Sequence, residues 1–357
     1  MTSGDIVMIQ AKVTDLIGNT PLLELPVAAP GVRLLLKIEK NNPGGSMKDR
    51  MARSMVEAAI RDGRLAPGGT IVESSSGNTG IGLAIVAAEM GFRFIAVVDH
   101  HAAPDKLAVM KALGAELRFV EGNYAEDEVA VVERQNMAAR LAREIPGAVF
   151  MNQSDNPANP AGYRGFVDEL IAQTGGRIDV FCGCTGTGGS MTGIATGLKR
   201  YNPDILTVGV EPKGSIIFGQ PGHPYYQSGT GTPKGDEVGL VLGYDVIDIG
   251  TQVGDAEAFE TARYLARHTG LLIGGSTGGA LYIALEHIHS GRMRGTVVCT
   301  VADGGEKYLH TVFDEAWLAK RGLVDAGVWR RLDQWLPLRR PFLAPPAQRA
   351  AILEGAA

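Results

Sequence analysis

The segment Asn41-Asn42-Pro43-Gly44-Gly45-Ser46-Met47-Lys48-Asp49-Arg50 sets a single amine between an apolar run, Leu34-Leu35-Leu36-Lys37-Ile38, and a helical pattern that begins at Met51. A lysine where strand gives way to helix stands at an active-site address in open α/β folds. Pro43, Gly44 and Gly45 fix a tight turn through which backbone can approach a ligand. The helix start beyond Ser46 adds free N–H groups and a positive dipole end beside the amine. Held there and partly desolvated, Lys48 has the lowered pKa that Schiff-base chemistry requires. The spacing is not that of a nucleotide P-loop, which needs two glycines bracketing four residues before Gly-Lys-Ser/Thr.

Further loops carry complementary chemistry. Ser74-Ser75-Ser76-Gly77-Asn78-Thr79-Gly80 precedes the apolar helix Ile81 to Ala88, and hydroxyls beside bare helix-start N–H groups make an anion trap suited to a carboxylate. Thr185-Gly186-Thr187-Gly188-Gly189-Ser190 follows the strand Ile178 to Phe181, and a helix opens at Met191. Successive glycines let the backbone curl into a nest of N–H donors, and with the Thr187 and Ser190 hydroxyls this is chemistry for a phosphate monoester. The glycines do not match a dinucleotide fingerprint, and the loop lies mid-chain. A late serine, Ser276, sits in Gly274-Gly275-Ser276-Thr277-Gly278-Gly279. One amine, one phosphate cradle, one carboxylate trap and a late serine suit a phosphorylated aldehyde and an amino acid better than a nicotinamide.

The elements that must position these loops alternate. Helical spacing runs from Met51 to Arg64 and stops at Ala66-Pro67-Gly68-Gly69. Strands are expected at Thr70 to Glu73, Arg93 to Val98, Glu116 to Val120, Ile178 to Phe181, Ile205 to Val210 and Thr296 to Val301. Helices are expected over Pro104 to Leu113, Glu126 to Ile145 and Ala161 to Thr174. This rhythm predicts an α/β fold of right-handed crossover units in mostly parallel sheets, with the loops converging on one cleft. The stretch Gly222 to Gly235 lacks periodicity and reads as a surface loop or lid, and the chain from Arg321 onward as an appended tail with a little helix at most.

Composition narrows the class. With 45% hydrophobic and 20% charged residues the chain is an ordinary globular protein, long enough for two domains. A formal charge of -5 and the lack of a basic stripe argue against nucleic acid as a partner. No apolar run approaches a membrane span, and the first residues lack the features of a signal peptide, so a cytoplasmic protein is expected. The 3 cysteines, Cys182, Cys184 and Cys299, read as core thiols and not as a disulfide framework or zinc site. No metal is expected.

Over about residues 13 to 320 the chain resembles the cysteine synthase and cystathionine β-synthase family of pyridoxal-phosphate enzymes, of the tryptophan synthase β-subunit fold. The motifs that carry this, in family order, are Asn42 to Arg50, Ser76-Gly77-Asn78-Thr79-Gly80, Asn156-Pro157-Ala158-Asn159-Pro160 and Gly186-Thr187-Gly188-Gly189-Ser190. The resemblance implies two open, mostly parallel α/β domains with the cofactor in the cleft between them. Residues 1–49 and 159–320 would form the large cofactor-binding domain, 50–158 a smaller mobile one, and 321–357 a tail. It implies that Lys48 is the Schiff-base lysine, that Asn78 bonds the ring hydroxyl, that Gly186, Thr187, Gly188, Gly189 and Ser190 hold the phosphate, and that Ser276 faces the pyridine nitrogen. Ser75, Ser76, Thr79 and Gln153 would bind the substrate carboxylate, and the chain would be a homodimer.

A neutral serine at the ring nitrogen does not hold the pyridine protonated, so a deprotonated substrate carbon is less stabilised and expulsion of a β-substituent is favoured. The expected reaction is therefore β-replacement on O-acetyl-L-serine or O-phospho-L-serine through an aminoacrylate, with a sulfur or amine nucleophile. The alternatives are a serine or threonine dehydratase, a cystathionine β-synthase, and a ligand-binding homologue without turnover. Ser75 departs from the threonine of ordinary cysteine synthases, and Lys213-Gly214-Ser215-Ile216-Ile217-Phe218-Gly219 is closer to synthases that make diaminopropionate precursors. Lys213 or Lys234 could pair with a phosphate leaving group, although a solvated lysine suits either position better.

Overall fold

The computed structural model describes residues 9–100, 102–122 and 130–338. In chain order the first half runs β1 (Leu22–Leu25), β2 (Arg33–Ile38), α1 (Lys48–Arg61), β3 (Thr70–Ser74), α2 (Asn78–Met90), β4 (Arg93–Val98), α3 (Pro104–Ala112), β5 (Glu116–Phe119), α4 (Val131–Glu144) and β6 (Ala148–Phe150). The second half runs α5 (Ala158–Ala161), α6 (Arg164–Thr174), β7 (Val180–Cys184), α7 (Gly189–Tyr201), β8 (Leu206–Pro212), β9 (Ile249–Val253), α8 (Asp255–Thr269), α9 (Gly275–His289), β10 (Thr296–Val301), α10 (Glu315–Lys320) and α11 (Ala326–Trp335). No helix among the described residues is long and apolar enough to cross a membrane.

The strands form two sheets, ordered β1-β2-β10-β7-β8-β9 and β5-β4-β3-β6. Every neighbouring pair is parallel except β1 with β2, where Leu23 stands opposite Leu36. Central strands of such sheets are covered on both faces, which is why β10 reads as unbroken Thr-Val-Val-Cys-Thr-Val and is buried throughout. The α/β architecture of mostly parallel sheets is the one the alternation predicts.

One boundary differs from expectation, and a second falls partly outside the described residues. The helix expected from Ala161 to Thr174 is broken at Gly162 and Tyr163, where the chain lies against α1: a Cβ on Gly162 would stand 2.8 Å from the Arg50 carbonyl oxygen and 2.9 Å from the Met51 Cα. The helix expected from Glu126 is described only from Val131, and residues 123–129 lie outside the described ones.

The tail requires a correction. Residues 321–338 carry α11, whose Val328, Leu332 and Trp335 are buried against a core shared with α8, α9 and β10. Trp329 donates its indole N–H to Glu260 of α8 at 2.6 Å. Apolar residues at helical spacing made this face, and the neighbouring arginines and prolines hid it in the sequence. Residues 339–357 lie outside the described ones.

Candidate active site

Lys48 opens α1, and the turn before it is tied down from within: the Gly44 N–H donates to Asp49 Oδ2 at 2.5 Å, and Lys307 Nζ to the Gly44 carbonyl at 2.8 Å. Burial pushes the Asp49 carboxyl up to about 6, with the Gly44 N–H acting against it. Two residues on, Arg50 makes four hydrogen bonds to two carboxylates: Nε and Nη2 to Glu39 at 2.7 and 2.8 Å, Nη1 and Nη2 to Glu169, both 2.8 Å. Lys37 completes the cluster with a 2.7 Å bond to Glu169. Burial works against the Arg50 charge, but the two carboxylates outweigh it and its pKa rises; Arg50 and Lys37 hold Glu169 down at about 2 against its own desolvation. The first turn of α1 is thereby fixed to the large sheet's strand-end turn and to α6.

Lys48 faces a small cavity that opens to solvent. Its wall is built by Met47 and Lys48 before and at the start of α1, Asn78 at the start of α2, Cys184, Gly186 and Ser190 after β7, and Ser228 and Gly229 of the loop after β8. Ser276 at the start of α9 and Ala302 and Asp303 after β10 complete it. Contributions come from strand ends in both sheets, the crevice where open parallel sheets bind ligands. Deep burial lowers the pKa of Lys48, and the nearby Cys184 and Asp303 oppose that shift only in part. Burial raises the Cys184 thiol, with Lys48 and the Ser276 hydroxyl acting against it.

Asn78 is fixed from both ends. Its Nδ2 donates to Asp303 Oδ2 at 2.7 Å and its Oδ1 accepts from Lys307 Nζ at 2.7 Å, while the Tyr308 hydroxyl donates to the same Asp303 oxygen at 2.5 Å. Gly186 before α7 and Ser190 in its first turn stand on the cavity wall, while Thr187 and Gly188 form the turn that leads into Gly189, the first residue of the helix. Gly188 is required: its φ is 95°, and a Cβ would lie 2.5 Å from Leu242 Cβ. The first helical acceptor bond here is Thr192 N–H to the Gly188 carbonyl, 2.8 Å, so the N–H groups of Gly189, Ser190 and Met191 belong to the open first turn.

The residues expected to take a carboxylate lie beside this cavity and not on its wall. Ser75 Oγ accepts the N–H of Gly77 and of Gly80, both at 3.2 Å; the Thr79 hydroxyl donates to Gln153 Oε1 at 2.7 Å; Arg134 Nη1 reaches Ser76 Oγ at 3.4 Å. Beneath them Glu73 Oε1 accepts the Ser74 N–H at 2.9 Å and Oε2 the Gln153 N–H at 3.2 Å, joining the two segments. Burial pushes the Glu73 carboxyl up to about 8. Lys213 and Lys234 are both exposed.

Asp303, Cys184, Ser228, Lys307 and Tyr308 were not singled out as site residues from the sequence. Asp303 had a usable signal, since it follows a buried parallel strand and opens a Gly-Gly turn. Cys184 lay three positions past a strand read as ending at Phe181.

A desolvated amine, a neutral helix-start cradle and a serine-bearing helix start, set at the strand ends of two open sheets, are parts that suit a phosphorylated aldehyde cofactor. The family model described as "Pyridoxal-phosphate dependent enzyme" matches residues 13–304, and the chain belongs to that family. It is 68% identical to a putative cysteine synthase of Sinorhizobium fredii, over 92% of this chain and 98% of that one. It is 35% identical to the cystathionine beta-synthase of Apis mellifera, over 93% of this chain and 67% of that longer one. Among solved structures, the O-acetylserine dependent cystathionine beta-synthase of Helicobacter pylori superposes with a TM-score of 0.76 at 32% identity, over 85% of this chain and 99% of that one. The protein is thus a cysteine synthase-like enzyme whose cofactor is pyridoxal phosphate. Its residues fit that group: the Gly186 to Ser190 turn offers neutral donors and a helix dipole for a phosphate, and Lys48 offers an amine of lowered pKa at the same cavity.

Proposed function

We propose that this enzyme replaces the β-substituent of an activated L-serine, O-acetyl-L-serine or O-phospho-L-serine, with a sulfur or amine nucleophile. The observation that carries the reading is the pairing of Lys48 with Ser276 on one cavity wall, where Asp303, the carboxylate lining it, is engaged by Asn78 and Tyr308. The O-acetylserine dependence named for the Helicobacter pylori structure supports the same substrate class.

Bound pyridoxal phosphate supplies an electron sink that acidifies the substrate's α-carbon. Lys48 would hold the cofactor before substrate arrives. Its lowered pKa then suits it to take the α-proton and to return it after the nucleophile has added. Gly186, Thr187, Gly188, Gly189 and Ser190 would grip the phosphate, and Asn78, immobilised by Asp303 and Lys307, would bond the ring hydroxyl. Ser276 would face the pyridine nitrogen with a neutral hydroxyl in place of a carboxylate, which suits loss of the β-substituent. Ser75, Ser76, Thr79 and Gln153 would orient the substrate carboxylate, with the Thr79 to Gln153 bond already in place.

The test is a mass-spectrometric product screen of O-acetyl-L-serine and O-phospho-L-serine against sulfide, thiosulfate, homocysteine and glutamate. A new β-substituted amino acid from at least one pair is expected. Release of pyruvate alone from every pair would replace the reading with an elimination enzyme.

A further inference from the structure

Two lysines among the described residues are buried, Lys37 and Lys106, and of these Lys37 is held by Glu169. Lys106 is not. It is the third residue of α3, only 6% exposed, and forms no ion pair with any described residue. Its ammonium lies 4.5 Å from the centroid of the Tyr308 ring and 3.5 Å from Ser228 Oγ. Its position is doubly unfavourable for a cation. Burial without a counter-charge carries a desolvation cost, and the first turn of a helix is the positive end of its dipole. The acidic residue beside it, Asp105, does not answer it: that side chain is exposed and faces His310 at 3.9 Å. Burial accordingly lowers its pKa, Asp303 works against that shift from a distance, and Lys307 adds to it.

Placement gives the cost a purpose. Ser228, the hydroxyl that Lys106 reaches, is itself on the cavity wall, and so is Asp303, the partner of Tyr308. α3 follows a strand of the four-stranded sheet, whereas Ser228 and Tyr308 follow strands of the six-stranded one, so the three groups meet where both sheets face the substrate. The α3 N-terminus adds the unshared N–H groups of Asp105 and Lys106, since the first helical bond runs from the Leu107 N–H to the Ala103 carbonyl. A buried ammonium, a hydroxyl and open amide donors form a set that an oxyanion would complete.

We propose that Lys106 and Ser228 form an anion subsite at the edge of the cavity that receives the oxyanion of the departing β-substituent, phosphate in preference to acetate. This rests on the β-replacement reading. The carbon–oxygen bond at the substrate's β-carbon breaks with both electrons remaining on the leaving oxygen, and Lys106 donates a hydrogen bond to that anion without giving up its proton. A dianionic phosphate gains more from a fixed ammonium than a monoanionic acetate does.

The test uses the holoenzyme, in which the cofactor's own phosphate would occupy the Gly186 to Ser190 turn, with inorganic phosphate as the probe and calorimetric titration as the readout. Phosphate is expected to compete with O-phospho-L-serine, to bind about 10-fold more weakly to Lys106→Met, and to bind Lys106→Arg within about threefold of wild type. KM for O-phospho-L-serine should rise in Lys106→Met by the same factor, and KM for O-acetyl-L-serine by less. Unchanged phosphate affinity in Lys106→Met, binding that does not compete, or no binding to wild type would each overturn the proposal. If Lys106→Met does not fold, Ser228→Ala decides: weaker phosphate binding upholds the subsite, and unaltered binding ends it. Lysine-dependent phosphate binding in an enzyme that turns over neither serine ester would sink the β-replacement reading and leave the subsite standing.

Discussion

Replacing Arg50 with methionine should unfold the enzyme far more readily than its modest change in size suggests. The substitution removes four hydrogen bonds, two to Glu39 and two to Glu169. The two carboxylates then differ. Glu39 is 0% exposed and keeps Thr20 Oγ1 at 2.6 Å and Asn42 Nδ2 at 2.9 Å, neutral partners that cannot balance its charge. Glu169 is partly exposed and retains Lys37 at 2.7 Å. The loss is therefore concentrated at Glu39, and stranding one buried charge costs about 3–5 kcal/mol. Urea unfolding of the holoenzyme, followed by far-ultraviolet circular dichroism and by the visible absorbance of the cofactor, measures it. The double variant Arg50→Met with Glu39→Gln should recover at least half of the loss, because the stranded charge is gone. Since Arg50 anchors the helix turn that bears Lys48, the absorbance transition should come at lower urea than the dichroism transition in the single variant. A loss below about 1 kcal/mol, or no recovery in the double variant, would refute the assignment of this cluster as the anchor of Lys48.

Two further outcomes follow from buried groups. Glu73 has a folded-state pKa of about 8 against an ordinary 4.5, so the folded protein holds a proton that the unfolded chain releases across that range. Its contribution to stability is full below the unfolded value and is lost as pH rises through the folded one, by at most about 1.4 kcal/mol per pH unit. Urea midpoints of Glu73→Gln should thus gain on wild type between pH 5 and pH 8, and parallel profiles would show that Glu73 is ionised throughout. Leu332→Ala removes a fully buried side chain from α11 and should cost about 2–5 kcal/mol; a cost near zero would mean that α11 is an appendage after all.

Much of the architecture was legible because parallel strands are apolar in unbroken runs and are punctuated by glycine. Arg93 to Val98 and Thr296 to Val301 were read with the bounds the structure gives them. Helix starts were set late where polar residues occupy the first turn: α1 begins at Lys48, not Met51, and α7 at Gly189, not Met191. In both cases the chemistry-bearing residues belong to the helix itself, and its dipole therefore bears on them directly. The cavity gathers Lys48, Asn78, Gly186, Ser190 and Ser276 from the set expected from sequence, while Ser75, Ser76, Thr79 and Gln153 pair beside it. What sequence could not show depends on contacts across long separations. Lys106 meets Ser228 across 122 positions, and Asn78 meets Asp303 across 225. Neither partner has a local pattern that points to the other. α11 was missed for the opposite reason, since its local pattern was present but lay among arginines and prolines typical of a solvated terminus.

The central claim is that Lys48 is the lysine that holds pyridoxal phosphate, and borohydride reduction of the purified full-length enzyme followed by peptide mass mapping tests it most directly. The prediction is a single cofactor-modified peptide, the one bearing Lys48, with the visible absorbance lost on reduction and absent from Lys48→Ala. Modification at Lys106 or Lys37 instead, or a reduced protein carrying no cofactor mass on any peptide, would contradict it.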